Sequence, residues 1–200
     1  AKDASRFLMT AGSKKDIALG AIADALCENC EEILVANKID LENGEKSGLT
    51  ASLLDRLRLS EERINGMADG VRQVAALPDP VGRVLDGRTL KNGLQIEKVT
   101  VPMGVIGIIF EARPNVTSDA AALCLKAGSA VILRGGKEAF HSNMAIAKVM
   151  RDALEKAGFP RDCVALVEDT TRQSATELMQ LSDYLDVLIP PVSYTHLTLP

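Results

Sequence analysis

From Lys14 to Asp40 the apolar positions Leu19, Ile22, Leu26, Cys30 and Ile33 fall three and four apart. That is the period of a helix with one buried face. The spacing predicts a single long helix, broken in LENGEKSGLT by Asn43-Gly44 and Gly48. A second helical region follows over 50–77, with a fresh start where Ser60 precedes Glu61, and Pro78 and Pro80 close it. Over 83–101 the pattern shortens to alternation. Leu94 and Ile96 have polar neighbours, and Asp86-Gly87 and Asn92-Gly93 are turn dipeptides, so β-hairpins are expected. From Val105 onward the apolar residues come in unbroken runs, VIGIIF, AVILR, CVALV and YLDVLIP. Helical stretches at 117–127, 141–157 and 171–181 separate them. Such runs alternating with helices predict an α/β fold whose parallel sheet is buried on both faces. The expected organisation is a helical region over 1–80, a hairpin arm over 81–102 and a nucleotide-binding sheet domain over 103–190. Repeats and low-complexity segments are absent.

Composition narrows the function. Of 200 residues, 46% are hydrophobic and 25% charged, which supports an ordinary globular core. The net charge of −4 argues against a nucleic-acid surface, and the 3% of aromatic residues against base stacking. No apolar run reaches the ~18 residues of a membrane span, and AKDASRFLMTAGSKKD lacks the apolar stretch of a secretory signal. The chain starts at Ala1 rather than Met, so a few residues are expected to precede it. Four cysteines, Cys27, Cys30, Cys124 and Cys163, do not form a disulfide framework, and the default compartment is the cytoplasm.

The candidate chemistry lies after the apolar runs. Arg134 and Lys137 flank Gly135-Gly136 at the carboxyl end of AVILR, where open α/β sheets bind ligands. Two cations around a flexible backbone suit a phosphate such as the 2′-phosphate of NADP; the alternative is a solvated turn with incidental charges. A P-loop is excluded, because it needs Gly where Val131 stands and Ser or Thr where Glu138 stands. The dinucleotide glycine fingerprint is missing too, since Gly104 and Gly107 precede and enter the first strand. In EARPN, Pro114 keeps Arg113 out of the helical region. Arg113 could then grip a carboxylate and Asn115 could donate to an oxyanion. The alternative is a helix start capped by Thr117 or Ser118 with Arg113 merely exposed. CENC, Cys27 to Cys30, has metal-ligand spacing without a second pair and falls mid-helix, so packing is expected there and no metal site. Cys124 and Cys163 read as packing residues, and His141 has no nameable acid–base partner.

The stretch VPMGVIGIIFEARPNVTSDAAALCLKAGSAVILRGGKEAFHSN closely resembles the γ-glutamyl phosphate reductases (glutamate-5-semialdehyde dehydrogenases), the proline-biosynthesis branch of the aldehyde dehydrogenase superfamily. EARPNVTSDAAALCLKAG and ILRGGKEA carry it most specifically. It runs from near residue 1 to LDVLIP at 185–190, about the first half of such an enzyme. It implies an aldehyde-dehydrogenase-like fold, with N-terminal helices, a hairpin arm used for homo-oligomers and an incomplete Rossmann-like sheet lacking the usual fingerprint. It also implies NADPH-dependent reduction of γ-glutamyl phosphate to glutamate 5-semialdehyde and phosphate, through a thioester on a cysteine. By position, Arg134 and Lys137, with Gly135 and Gly136 between them, match the contacts to the adenine ribose and its 2′-phosphate. Phe110 and Glu111 match the strand end beside the cofactor, and Asn115 the oxyanion-hole amide. The spacing from Asn115 to Gly128 departs from that of typical aldehyde dehydrogenases, and no cysteine here matches the nucleophile. After LDVLIP the chain reads PVSYTHLTLP instead of the family's glycine-rich loop, so 191–200 is expected to be foreign sequence. Two other functions stay open: a stand-alone nucleotide-binding or interaction module, and an aldehyde dehydrogenase for another acyl substrate.

Overall fold

A computed structural model describes residues 1–191; the expected foreign tail, beyond Pro191, lies outside the described residues. The N-terminal third is helical: α1 (Lys2–Met9), α2 (Lys14–Glu28), α3 (Cys30–Lys46), α4 (Ala51–Leu57) and α5 (Glu61–Ala76). The apolar stripe expected over 14–40 is present, but as two helices. Asn29 stops the first, its amide donating to the Ala25 carbonyl at 2.7 Å, a side-chain bond that competes with the helical ladder. CENC therefore sits at a helix junction and not mid-helix. Asn43-Gly44 does not break α3. Gly44 is buried, and a Cβ there would meet Leu49 at 2.9 Å, so packing carries the helix past it to Ser47. Gly48, with φ +74°, then turns the chain. Ser60 does start α5, its hydroxyl accepting from the Arg63 amide.

One hairpin, β1 (Val84–Thr89) with β2 (Gln95–Val99), forms where several were expected. Asn92-Gly93 makes its turn, whereas Asp86-Gly87 lies within β1 beside an irregularity in the register. Every residue of both strands is exposed.

The sheet is parallel, as expected: β3 (Val105–Ile109), β4 (Ala130–Arg134), β5 (Val164–Leu166) and β6 (Val187–Ile189), in the order β5-β4-β3-β6. Helices α6 (Asn115–Lys126) and α7 (Phe140–Lys156) return the chain on one face. There they share a core with α2 and α5 that includes Leu19, Ile22, Leu133 and Met150. Right-handed crossovers in two directions require α8 (Arg172–Gln180) to take the other face. It packs there in a separate cluster, Ala175 and Leu178 against Ile109. The strand order thus reverses beside β3. β6 is tied back by Asp186, which accepts from the Val105 amide at 2.7 Å and from Lys2 at 2.9 Å. Gly104 allows that approach, since a Cβ there would lie 2.2 Å from the Asp186 carboxylate.

Polar groups bind the helices to the sheet domain. Lys15, 2% exposed, pairs with Asp79 at 3.0 Å and donates to the Lys126 carbonyl. Lys126 in turn reaches Asp16 at 2.6 Å. No helix among the described residues is long and apolar enough to cross a membrane.

Candidate functional site

A cleft of about 840 Å³ opens at the carboxyl ends of β3 and β4, where the strand order reverses and where open α/β sheets hold ligands. Ile109, Phe110, Glu111 and Ala112 line it from β3, and Arg134, Gly136, Lys137 and Glu138 from β4. Thr170, Thr171 and Arg172 close it at the start of α8. Two stretches of sequence 24 residues apart (Phe110 and Arg134) are joined directly, the Phe110 amide donating to the Arg134 carbonyl at 3.0 Å.

The two cations are not equivalent. Arg134 is 9% exposed, and its Nη2 donates to the carbonyls of Thr170 and Thr171, each at 2.7 Å. It is no solvated turn residue. It clamps the β5–α8 loop over the end of β4, and its Nε is buried with no hydrogen-bond partner among the described residues. Lys137 stands exposed in the same wall, at the start of a single 3-10 turn. Gly135 is required by packing, because a Cβ would fall 2.2 Å from the Asn143 amide and 3.2 Å from the Phe110 ring. Gly136 makes room for the Glu138 carboxylate, which a Cβ there would meet at 2.7 Å. Asp169, at the base of the α8 loop, is held below the ordinary carboxylate range by the Thr171 amide and hydroxyl.

Arg113 and Asn115, the expected carboxylate and oxyanion contacts, line a neighbouring basin. Asn115 begins α6, and its amide donates to Asp119 at 2.9 Å. Neither Thr117 nor Ser118 caps that helix. The Thr117 hydroxyl donates to Asn143 and the Ser118 hydroxyl to the Asn115 carbonyl. Asp119 is pushed up by desolvation, against the opposing bonds from Asn115 and Ser118.

No cysteine lines the cleft. Burial pushes the thiols of Cys124 and Cys163 up to about 12, and Cys30 is raised by burial and by Glu61. The described residues contain no cluster of three or more His, Cys, Asp or Glu placed to hold a metal ion. His141 does have a partner, which sequence reasoning missed. Its Nδ1 lies 2.8 Å from Asp40 of α3, a side chain 2% exposed. Asp40 also accepts from the amides of His141 and Ser142 and from the Ser142 hydroxyl. This carboxylate caps α7 from 101 residues away, which no local motif announces.

Comparison with known proteins places this geometry. Residues 6–187 match the aldehyde dehydrogenase family. Among curated relatives, the chain is 55% identical over 191 residues to a γ-glutamyl phosphate reductase of Syntrophomonas wolfei and 56% identical to that of Moorella thermoacetica. Each alignment covers 95% of this chain and 46% of the relative, so the chain spans about half the length of the curated relatives it matches. The crystal structure of γ-glutamyl phosphate reductase from Thermotoga maritima superposes with a TM-score of 0.93 at 42% identity, over 94% of this chain and 46% of that one. The Saccharomyces cerevisiae enzyme gives 0.87 at 37%, over 96% and 49%. With sequence and backbone in agreement over nearly its whole length, the chain belongs to the aldehyde dehydrogenase family.

Proposed function

We propose that this chain is the N-terminal, cofactor-binding half of a γ-glutamyl phosphate reductase. The reaction is the NADPH-dependent reduction of L-glutamyl 5-phosphate to L-glutamate 5-semialdehyde and phosphate. The observation that carries the reading is the cleft after β3 and β4, in a chain more than half identical to enzymes of that name. Its walls suit a phosphate-bearing nucleotide: Lys137 supplies a presented cation, and the fixed Arg134 shapes the rim. When bound, NADPH would supply the hydride. The residues that would hold it are Phe110 and Glu111 at the end of β3, and Arg134, Gly135, Gly136 and Lys137 after β4. Lys137 is the residue assigned to the 2′-phosphate. Arg134 takes a positioning role beside its match to the ribose contact, because its Nη2 is committed to Thr170 and Thr171.

The thiolate that forms the thioester has to come from outside these 200 residues. A nucleophilic cysteine needs a lowered pKa and access to the cleft; Cys124 and Cys163 are buried with raised pKa values, and Cys27 and Cys30 lie at the α2–α3 junction. The four thiols form no disulfide, which suits a reducing compartment, and the reaction is assigned to the cytoplasm. The exposed hairpin is assigned to contacts between subunits of a homo-oligomer.

Continuing the source reading frame past the codon for Pro190 tests this. The expected product contains a glycine-rich loop and a later cysteine, and oxidises glutamate 5-semialdehyde with NADP and phosphate. A stop after Pro200 in independent clones would instead favour a stand-alone nucleotide-binding module. Activity only with other acyl substrates would favour a different aldehyde dehydrogenase.

A further inference from the structure

The loop after β3 separates two cavities. Phe110, Glu111 and Ala112 line the nucleotide cleft, and Arg113 and Asn115 line a second basin of about 430 Å³. The far wall of that basin comes from α4, the α4–α5 linker and α5, including Arg56, Arg58 and Arg63. Four arginines therefore line one concavity with two acidic residues, Asp55 and Asp119. Arg63 is already used. Its Nη1 donates to the carbonyls of Asp55 and Arg58, each at 2.6 Å, and its Nη2 meets the Asp55 carboxylate at 3.1 Å. Asp119 is engaged by the Asn115 amide at 2.9 Å. The guanidinium groups of Arg56, Arg58 and Arg113 form no hydrogen bond or ion pair among the described residues.

The basin is also rigidly built. Asn37, 1% exposed, donates to the Leu57 carbonyl and accepts from the Leu59 amide, both at 2.8 Å. Arg58 is thus clamped on each side through its neighbours and from above through its own carbonyl. Its backbone is extended, and Leu57 and Leu59 point into the core, so the Arg58 side chain is turned outward. Uncommitted like charges held together on a fixed backbone repel one another, and a bound anion relieves that repulsion while forming charge-assisted, bidentate bonds. The backbone at Arg58 is already ordered, so what binding has to immobilise is the arginine side chains.

We propose that this basin is a binding site for a small oxyanion, the carboxylate or the phosphate of the acyl substrate, held by Arg56, Arg58 and Arg113. The existence of the site stands on the geometry; the identity of the substrate rests on the reductase reading. The two cavities share the loop after β3, since Ala112 lines one and Arg113 the other.

The test is binding to the 200-residue chain, with inorganic phosphate followed by ³¹P line broadening and L-glutamate by saturation-transfer NMR. The expected result is saturable binding of at least one anion, weakened tenfold or more in Arg58→Gln and in Arg113→Gln and unchanged in Lys38→Gln, an exposed lysine of α3 outside both cavities. Circular dichroism checks that each variant is folded, which the exposure of these side chains favours. Phosphate alone would assign the basin to the leaving group, glutamate alone to the amino-acid head, and both to the shared oxyanion chemistry. Binding that is absent, or insensitive to the arginines, overturns the proposal. Binding that persists while the extended protein lacks reductase activity would overturn the reductase reading and leave the site standing.

Discussion

Lys137 and Arg134 sit three residues apart and do different work. Arg134 is buried under two carbonyls, while Lys137 is exposed in the cleft wall. In the extended protein Lys137→Glu is expected to raise the Michaelis constant for NADPH about 10- to 100-fold, from the loss of one charge-assisted bond of about 1.5–3 kcal/mol. The constant for NADH should hardly move; an unchanged ratio between the two would remove the 2′-phosphate assignment. The cysteines separate in a similar way. With thiols pushed up to about 12, Cys124 and Cys163 should resist iodoacetamide at pH 8 in the folded chain and react after denaturation, as read by mass spectrometry. The sign of the accompanying pH effect follows from linkage. The folded state holds these protons more tightly than the unfolded one, whose thiols titrate near the ordinary 9.0. Their contribution to stability is therefore full below pH 9 and is lost between 9 and about 12.

Among the elements, α7 depends on a residue of α3. Asp40 satisfies the amides of His141 and Ser142 in the first turn and lies within 2.8 Å of the His141 ring. Asp40→Ala would leave these donors buried without an acceptor, and the expected loss is about 2–3 kcal/mol in urea denaturation. A change under 0.5 kcal/mol would mean that water replaces the cap. The hairpin depends on nothing visible in its own chain. Val84, Leu85, Ile96 and Val99 on the two strands, with Leu94 just before the second, are 40% to 58% exposed. Such a ribbon is marginal alone and favours a partner surface. Deleting Arg88 to Asn92 from the extended protein is expected to shift sedimentation to smaller species; an unaltered profile would count against the arm.

At the scale of the whole molecule, the described residues assemble the cleft proposed for the cofactor and the arginine-lined basin beside it, and no cysteine lines either. The 200-residue chain is expected to show no turnover of glutamate 5-semialdehyde with NADP and phosphate. Turnover abolished by changing one of the four cysteines to Ser would place the nucleophile inside this chain and overturn the division of labour.

Sequence alone determined the elements whose signals fit within a short window. Unbroken apolar runs such as AVILR meant strands covered on both faces, Asn92-Gly93 meant a hairpin turn, and Ser60 meant a helix start, because each depends on backbone sterics or on burial of adjacent residues. The same local logic brought Phe110, Glu111, Arg134 and Lys137 to one end of the sheet, since the carboxyl ends of neighbouring parallel strands must share an edge. Tertiary structure decided which polar groups meet. Only the packing of α3 against α7 gives Asp40 to His141, and only the return of the β5–α8 loop buries Arg134. The packing of α5 against α6 brings Arg58 and Arg113 into the walls of one basin, apart from the cleft after β3 and β4. The physical reason is range. A turn or a helical period is settled by residues a few positions apart, whereas the partner of a buried charge is settled by where the whole backbone closes.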